Sequence, residues 1–150
     1  MKAINLKTEY LHNPIGIDIT SPRFYWNCEG GKTQTAYRIV AKSGNALLWD
    51  SGKVPSSSMT HIRYGGASLK SRQRVEWSVT LWDENDVEGD PESAFFEMGL
   101  LRADDWKAKW ITGDYNVNKS KRYPADCFKK EFDVGNTLRA RLYITACGLY

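Results

Sequence analysis

The stretch that most constrains this chain is Arg74–Asp83, Arg-Val-Glu-Trp-Ser-Val-Thr-Leu-Trp-Asp. Val75, Trp77, Val79 and Leu81 alternate with Arg74, Glu76, Ser78 and Thr80. A period of two, carried by β-branched and aromatic side chains, predicts a strand with one buried and one wet face. Trp77 is its largest expected anchor. Trp82 falls on the face opposite Trp77, so it is the aromatic expected at the surface or against a neighbouring domain.

Similar signals flank this strand. Residues 3–11 alternate weakly and fit an edge strand, broken by Asn13-Pro14 and Ile15-Gly16. Arg23–Cys28 places Phe24, Trp26 and Cys28 on one face. Thr35–Lys42 is a second strong strand, with Tyr37 and Ile39 alternating against Ala36, Arg38 and Val40. Leu47–Trp49 is a short apolar run closed by the turn Asp50-Ser51-Gly52. Thr60–Tyr64 alternates through Ile62 and Tyr64, and Leu69 reads as an apolar plug in a loop. Gly30-Gly31 and Gly65-Gly66 read as turns. Ala94–Leu101 returns as a strand after the acidic loop Asp83–Glu92, and should pair with the central strand, as should Thr35–Ala41. About seven short strands with turn signals between them, and no long amphipathic helix, predict an all-β, antiparallel sandwich of the immunoglobulin or fibronectin type.

The pattern changes at Arg102, so the expected organisation is a β-sandwich over 1–101 and a linker plus the start of a second β-sandwich over 102–150. In the linker, Asp104 or Asp105 is a candidate helix cap. Trp106 and Trp110 fit either strand or helical spacing. Phe128–Val134 and Leu138–Ile144 alternate as strands do. The end, Ala140–Tyr150, is apolar and β-prone, which fits a chain cut inside that second domain.

Composition narrows the function classes. A chain of 150 residues can build a core without metal or disulfide. The net charge is +3, and residues 102–141 hold ten Lys/Arg against six Asp/Glu. This is no dense basic stripe, and no nucleic-acid-binding motif is present, so no nucleic-acid partner is expected. The three cysteines, Cys28, Cys127 and Cys147, include no C-x-x-C, which argues against a disulfide framework or a zinc site. Cys28 reads as a small buried hydrophobe. The first residues lack the apolar run of a signal peptide, and no apolar stretch is long enough for a membrane helix. The expected compartment is the cytoplasm, with no membrane partner.

Catalytic constellations are missing. Glu84, Asp86, Glu88 and Asp90 alternate around Gly89, but a calcium loop begun at Glu84 needs a Glu where Phe95 stands. Glycoside hydrolysis needs two carboxyl groups across a cleft, and Asp104-Asp105 would point to opposite faces of a strand. His12 and His61 lie in no nucleophile motif. No Gly-rich loop precedes a helix as a phosphate site requires. The expected catalytic, cofactor-binding and metal residues are therefore none, and no substrate-binding residue is assigned. Trp49, Trp82, Trp106, Trp110 and Tyr115 remain as surface aromatics that either stack on sugar rings or pack against a neighbouring domain.

Several motifs occur in a telling order: Tyr10–Asp18, Pro22-Arg-Phe-Tyr-Trp26, Gln34–Val40, Leu48-Trp-Asp-Ser-Gly-Lys-Val54, Trp77–Asp83, Phe95–Leu101 and Asp105-Trp-Lys-Ala-Lys-Trp-Ile111. Together they resemble the amino-terminal region of bacterial α-L-rhamnosidases of glycoside hydrolase family 78. The resemblance implies a fibronectin type III-like domain over about 1–100. It also implies that 110–150 opens a second β-sandwich, with Lys129–Val134 and Arg141–Tyr150 as early strands. In such enzymes a downstream helical (α/α)-barrel carries paired carboxylic acids that hydrolyse terminal α-L-rhamnosides with inversion. The resemblance therefore implies a non-catalytic scaffold whose partners are the downstream domains of its own polypeptide and, for the parent enzyme, a rhamnose-containing glycoside. A stand-alone β-sandwich binding module for a carbohydrate or a protein is the alternative.

Overall fold

Two β-sheets face each other in the computed structural model, which describes residues 1–116, 118 and 120–146. The strands are β1 (Lys2–Thr8), β2 (Ile15–Ile17), β3 (Arg23–Glu29), β4 (Ala36–Ser43), β5 (Ala46–Asp50), β6 (Val54–Pro55), β7 (Ile62–Arg63), β8 (Arg74–Trp82) and β9 (Glu92–Met98). The smaller sheet runs β1-β3-β7. The larger runs β2-β9-β8-β4-β5, with β6 also paired to β4. The all-β sandwich expected from the sequence is the fold of the first unit, Met1–Ala108.

The alternation in β8 sets the register. Leu81 faces Tyr37, Val79 faces Ile39 and Trp77 faces Ala41 across the β4–β8 pair, while Val75 faces Phe96 across β8–β9. All lie on one face because the side-chain period of a strand is two. Phe24 and Trp26 of β3 close the core from the smaller sheet. The Phe24 ring lies 4.3 Å from Trp77, and the Trp26 ring meets Tyr37 edge-on at 5.3 Å. The indole N–H of Trp26 donates to Gln34 Oε1 at 2.9 Å, and Gln34 Nε2 donates to the Ser56 and Ser58 carbonyls. The buried Gln34 carboxamide thus has partners on both ends, as burial demands. Leu69 plugs the same core.

The expected break after β1 is a crossing. The chain leaves the smaller sheet at Thr8 and returns as β2, parallel to β9 in the larger one. That covers the outer edge of β9, which would otherwise offer unpaired backbone groups. Gly66 allows a second close approach: a Cβ there would sit 2.4 Å from the Leu48 carbonyl and 2.5 Å from Trp49 Cβ. The Gly65-Gly66 backbone therefore lies directly on β5.

The stretch expected as a linker is tied to the first unit. A short 3-10 helix, η1 (Ala103–Asp105), ends at Trp106, so the open choice between strand and helix for 106–112 resolves to neither. The cap expected at Asp104 or Asp105 is instead Arg102: Asp105 is the third helical residue, and its carboxylate reaches back to accept from the Arg102 backbone N–H at 3.2 Å and also accepts from the Ser71 hydroxyl.

The second unit, Lys109–Tyr150, contains no strand or helix among its described residues. Phe128–Val134 and Leu138–Ile144, expected as strands, run without ladder partners, and Phe132 and Leu142 stay 76% and 80% exposed. Alternating sequences of this kind need at least a third strand or a covering layer to hold a sheet in water, and these residues have neither. Cys147 and the last residues of the expected terminal strand, 147–150, lie outside the described residues.

Candidate functional site

A concave surface lies on the outer face of each sheet of the first unit. The larger, about 790 Å³, lies on the wet face of β9-β8-β4-β5. Arg38, Ser78, Thr80, Ser93 and Phe95 line it because they alternate with the buried residues of their strands. Arg38 forms a two-pronged pair with Asp50, with Nη2–Oδ2 at 2.5 Å and Nε–Oδ1 at 2.9 Å. That contact, helped by the Gly52 backbone N–H, pulls the Asp50 carboxyl down to about 2. The Arg74 guanidinium sits 3.5 Å over the Phe95 ring.

The smaller cavity, about 390 Å³, lies beside β1 and β3, with Tyr10, Tyr25, His12 and Asn27 in its wall. His61 stands next to it. Its Nε2 is 2.9 Å from the Tyr10 hydroxyl, and its ring meets Tyr25 edge-on at 5.2 Å. The two histidines set aside as catalytic candidates thus sit among phenols and carboxamides. His61 is bonded to a phenol, where a nucleophile-activating pair would require a serine or a carboxylate.

The carboxyl groups argue in the same direction. Five carboxyl groups are pushed below their ordinary values: Glu9 by Arg23, Asp50 by Arg38, Asp83 and Glu84 by backbone N–H groups, and Asp105 by Ser71. A glycosidase acid needs the opposite shift, so that it holds a proton at neutral pH. The acidic loop is spoken for as well. Glu84 accepts from the Lys32 and Thr33 N–H groups, Asp86 pairs with Lys53 at 2.5 Å, and Asp83 accepts from Asn85 and Val87. These carboxylates point to separate partners and do not converge.

Two of the surface aromatics are corrected. Trp82 is only 7% exposed. It ends β8, where side-chain alternation no longer decides burial: Lys53 lies 4.7 Å over its ring, and the Lys53–Asp86 pair holds that cover in place. Trp49 is half-buried, stacked on Phe24 at 6.1 Å and edge-on to Tyr64 at 5.5 Å. Trp106, Trp110 and Tyr115 are exposed, Trp110 to 71%. Cys28 is a half-buried free thiol that donates to Gln34 Oε1, and burial pushes its pKa up. Cys127 is free and exposed. Tyr10 is 54% exposed with its ring 4.5 Å from the buried Tyr25, and sequence periodicity did not single them out.

The family model described as Rha78A-like, N-terminal immunoglobulin domain matches residues 3–102. The chain belongs to that family. An α-L-rhamnosidase of Alteromonas sp. (strain LOR) is 37% identical over 155 residues, covering 92% of this chain and 17% of the relative. The solved α-L-rhamnosidase from Dictyoglumus thermophilum superposes with a TM-score of 0.67 at 36% identity, over 75% of this chain and 14% of that one. The Streptomyces avermitilis α-L-rhamnosidase solved with L-rhamnose gives 0.68 at 33% identity, over 74% and 12%. This Rha78A-like chain therefore spans about one sixth of the length of its curated relatives (17%), and in them the domain is one part of a larger polypeptide.

Proposed function

We propose that this chain is the non-catalytic amino-terminal brace of an α-L-rhamnosidase-like glycoside hydrolase, supporting a downstream catalytic barrel that releases terminal α-L-rhamnose. The observation that carries the reading is the match of nearly the whole chain to a small part of longer proteins named α-L-rhamnosidase. The partners are then the downstream domains of the same polypeptide and, for the parent enzyme, a rhamnose-containing glycoside. The free thiols Cys28 and Cys127 support a cytoplasmic location for that enzyme.

An activity assay on the isolated 150-residue chain with an aryl α-L-rhamnoside tests the reading. No turnover above buffer is the expected result, together with turnover by the parent enzyme that carries this domain. Hydrolysis by the chain alone, or a parent that cleaves other glycosides and spares α-L-rhamnosides, overturns it.

A further inference from the structure

The polypeptide stays pinned after its last strand has ended. β9 stops at Met98 and the family match stops at residue 102, yet residues 99–106 are fastened to one turn, at Ser71 and Arg72. Gly99 is held from both sides. Its N–H donates to the Ile17 carbonyl at 2.7 Å, and its own carbonyl accepts from the Arg72 N–H at 3.0 Å. The Leu101 N–H donates to the Ser71 hydroxyl oxygen at 2.9 Å, and that hydroxyl donates in turn to the Asp105 carboxylate. The same carboxylate accepts from the Arg102 N–H, and the Arg72 guanidinium donates to the Asp105 carbonyl at 3.1 Å. Within η1 the Asp105 and Trp106 N–H groups donate to the Arg102 and Ala103 carbonyls, and the Lys107 ammonium donates to the Asp104 carbonyl at 2.8 Å.

Burial does not account for this order. Leu101 packs against the core, but no residue of η1 is buried and Trp106 is 37% exposed. A stretch beyond the last strand ordinarily frays, because ordering it costs conformational entropy that little burial offsets. Here ionised partners offset it. Hydrogen bonds to a charged group are about twice as strong as neutral ones, and the Ser71 bond holds the Asp105 carboxyl below its ordinary value, in its charged form.

The anchor is itself rigid. The turn is closed by the Gln73 N–H on the Lys70 carbonyl at 3.1 Å and by the Lys70 N–H on Gln73 Oε1 at 2.8 Å. The Gln73 carbonyl accepts from the Met98 N–H at 2.9 Å, which ties the turn to the end of β9. The exit segment is therefore bonded, thirty and more residues back along the chain, to a part of the sandwich that cannot swing with it.

We propose that Ser71, Arg72 and Asp105 form a latch that fixes the direction in which the chain leaves the sandwich, so that the polypeptide beyond it is carried on a stiff joint. Three positioning residues, none of them catalytic, would then do what a free linker cannot. A flexible linker joins two domains without setting their geometry, whereas a brace transmits position only through a joint that does not bend. The use of the latch rests on the bracing role; its existence does not. The measurement below reads no turnover, so its failure and that of the rhamnoside assay are told apart.

The test is NMR on the full 150-residue chain in weakly aligning medium. Amides of Ala103–Trp106 should have order parameters near the roughly 0.85 of rigid backbone, and their residual dipolar couplings should fit the same alignment as the strand amides. Asp105→Ala and Ser71→Ala should each drop the order parameters of Asp104 and Trp106 below about 0.6 and shrink their couplings towards zero. The strand amides should keep theirs, and the melting temperature should stay within a few degrees of the parent chain. The proposal is overturned if the parent chain already shows averaged couplings at 103–106, or if both variants keep them. It is equally overturned if the strand amides lose their order together with the exit, because the contacts then serve the sandwich and not the joint.

Discussion

Trp77 illustrates how much a single side chain carries here. It is 1% exposed and sits between β4 and β9 in the larger sheet, with its ring against Phe24 of the smaller one. Its indole N–H has no partner, so its contribution is apolar and steric. Truncation removes the ring from the centre of the sandwich, and the rigid sheets on either side cannot collapse to fill the space. Trp77→Ala should therefore destabilise the fold by about 3–5 kcal/mol, measured as a lower denaturation midpoint in urea with an unchanged slope. Trp77→Phe keeps most of the volume and loses no hydrogen bond, so it should cost clearly less. Equal losses for the two variants would place the stabilisation in something other than the filled volume.

At the level of elements, the turn after β1 and the turn after β5 are each held by an arginine–carboxylate pair, and this sets the response to acid. The Arg23 hydrogen bonds hold the Glu9 carboxyl below its ordinary 4.5 in the folded chain. The unfolded chain has no such partner and takes up the proton at a higher pH. Acidification through that range therefore favours unfolding, and the stabilisation is fully present only above it. Asp50, at about 2 where 3.8 is ordinary, extends the loss further down. Melting temperatures should fall steadily from about pH 5 towards pH 2. Glu9→Gln should melt lower at neutral pH and show a shallower acid slope, and an unchanged slope would remove Glu9 as a source. The same elements show what was legible in the sequence. The pairing of β8 with β4 and β9 was readable because eight to nine alternating residues leave one register that buries Trp77, Val79 and Leu81 together. The strands β2 and β6 were not, because two or three residues carry no period. Trp82 misled because alternation places a side chain on a face without saying what loop will cover it, and Lys53 covers it. The corner at Tyr10 was hidden for a different reason. Glu-Tyr is a poor signal for a tight primed turn, and only the Arg23 contacts, thirteen and more residues away, make it hold.

On the scale of the whole molecule, the two units differ in how they satisfy their apolar side chains. The first buries its own between two sheets. The second leaves Phe128, Phe132, Val134, Leu138, Leu142 and Ile144 in water, at positions whose alternation suits a strand that has found a neighbour. Such residues lower their free energy by burying against any apolar surface they meet, and β-prone segments without ladder partners invite pairing between chains. In the relatives the matched stretch is a small part of a larger polypeptide. In the 150-residue chain a second copy is the available substitute. The chain should therefore associate as its concentration rises, seen by light scattering as a growing apparent mass. A chain ending at Ala108 keeps the sandwich and the Ser71–Asp105 latch, so it should remain monomeric and melt at nearly the same temperature. If both chains scatter alike, association belongs to the sandwich. If the full chain is monomeric and its 128–146 amides resist exchange, these segments bury their apolar faces within the chain, and the tendency to associate does not exist.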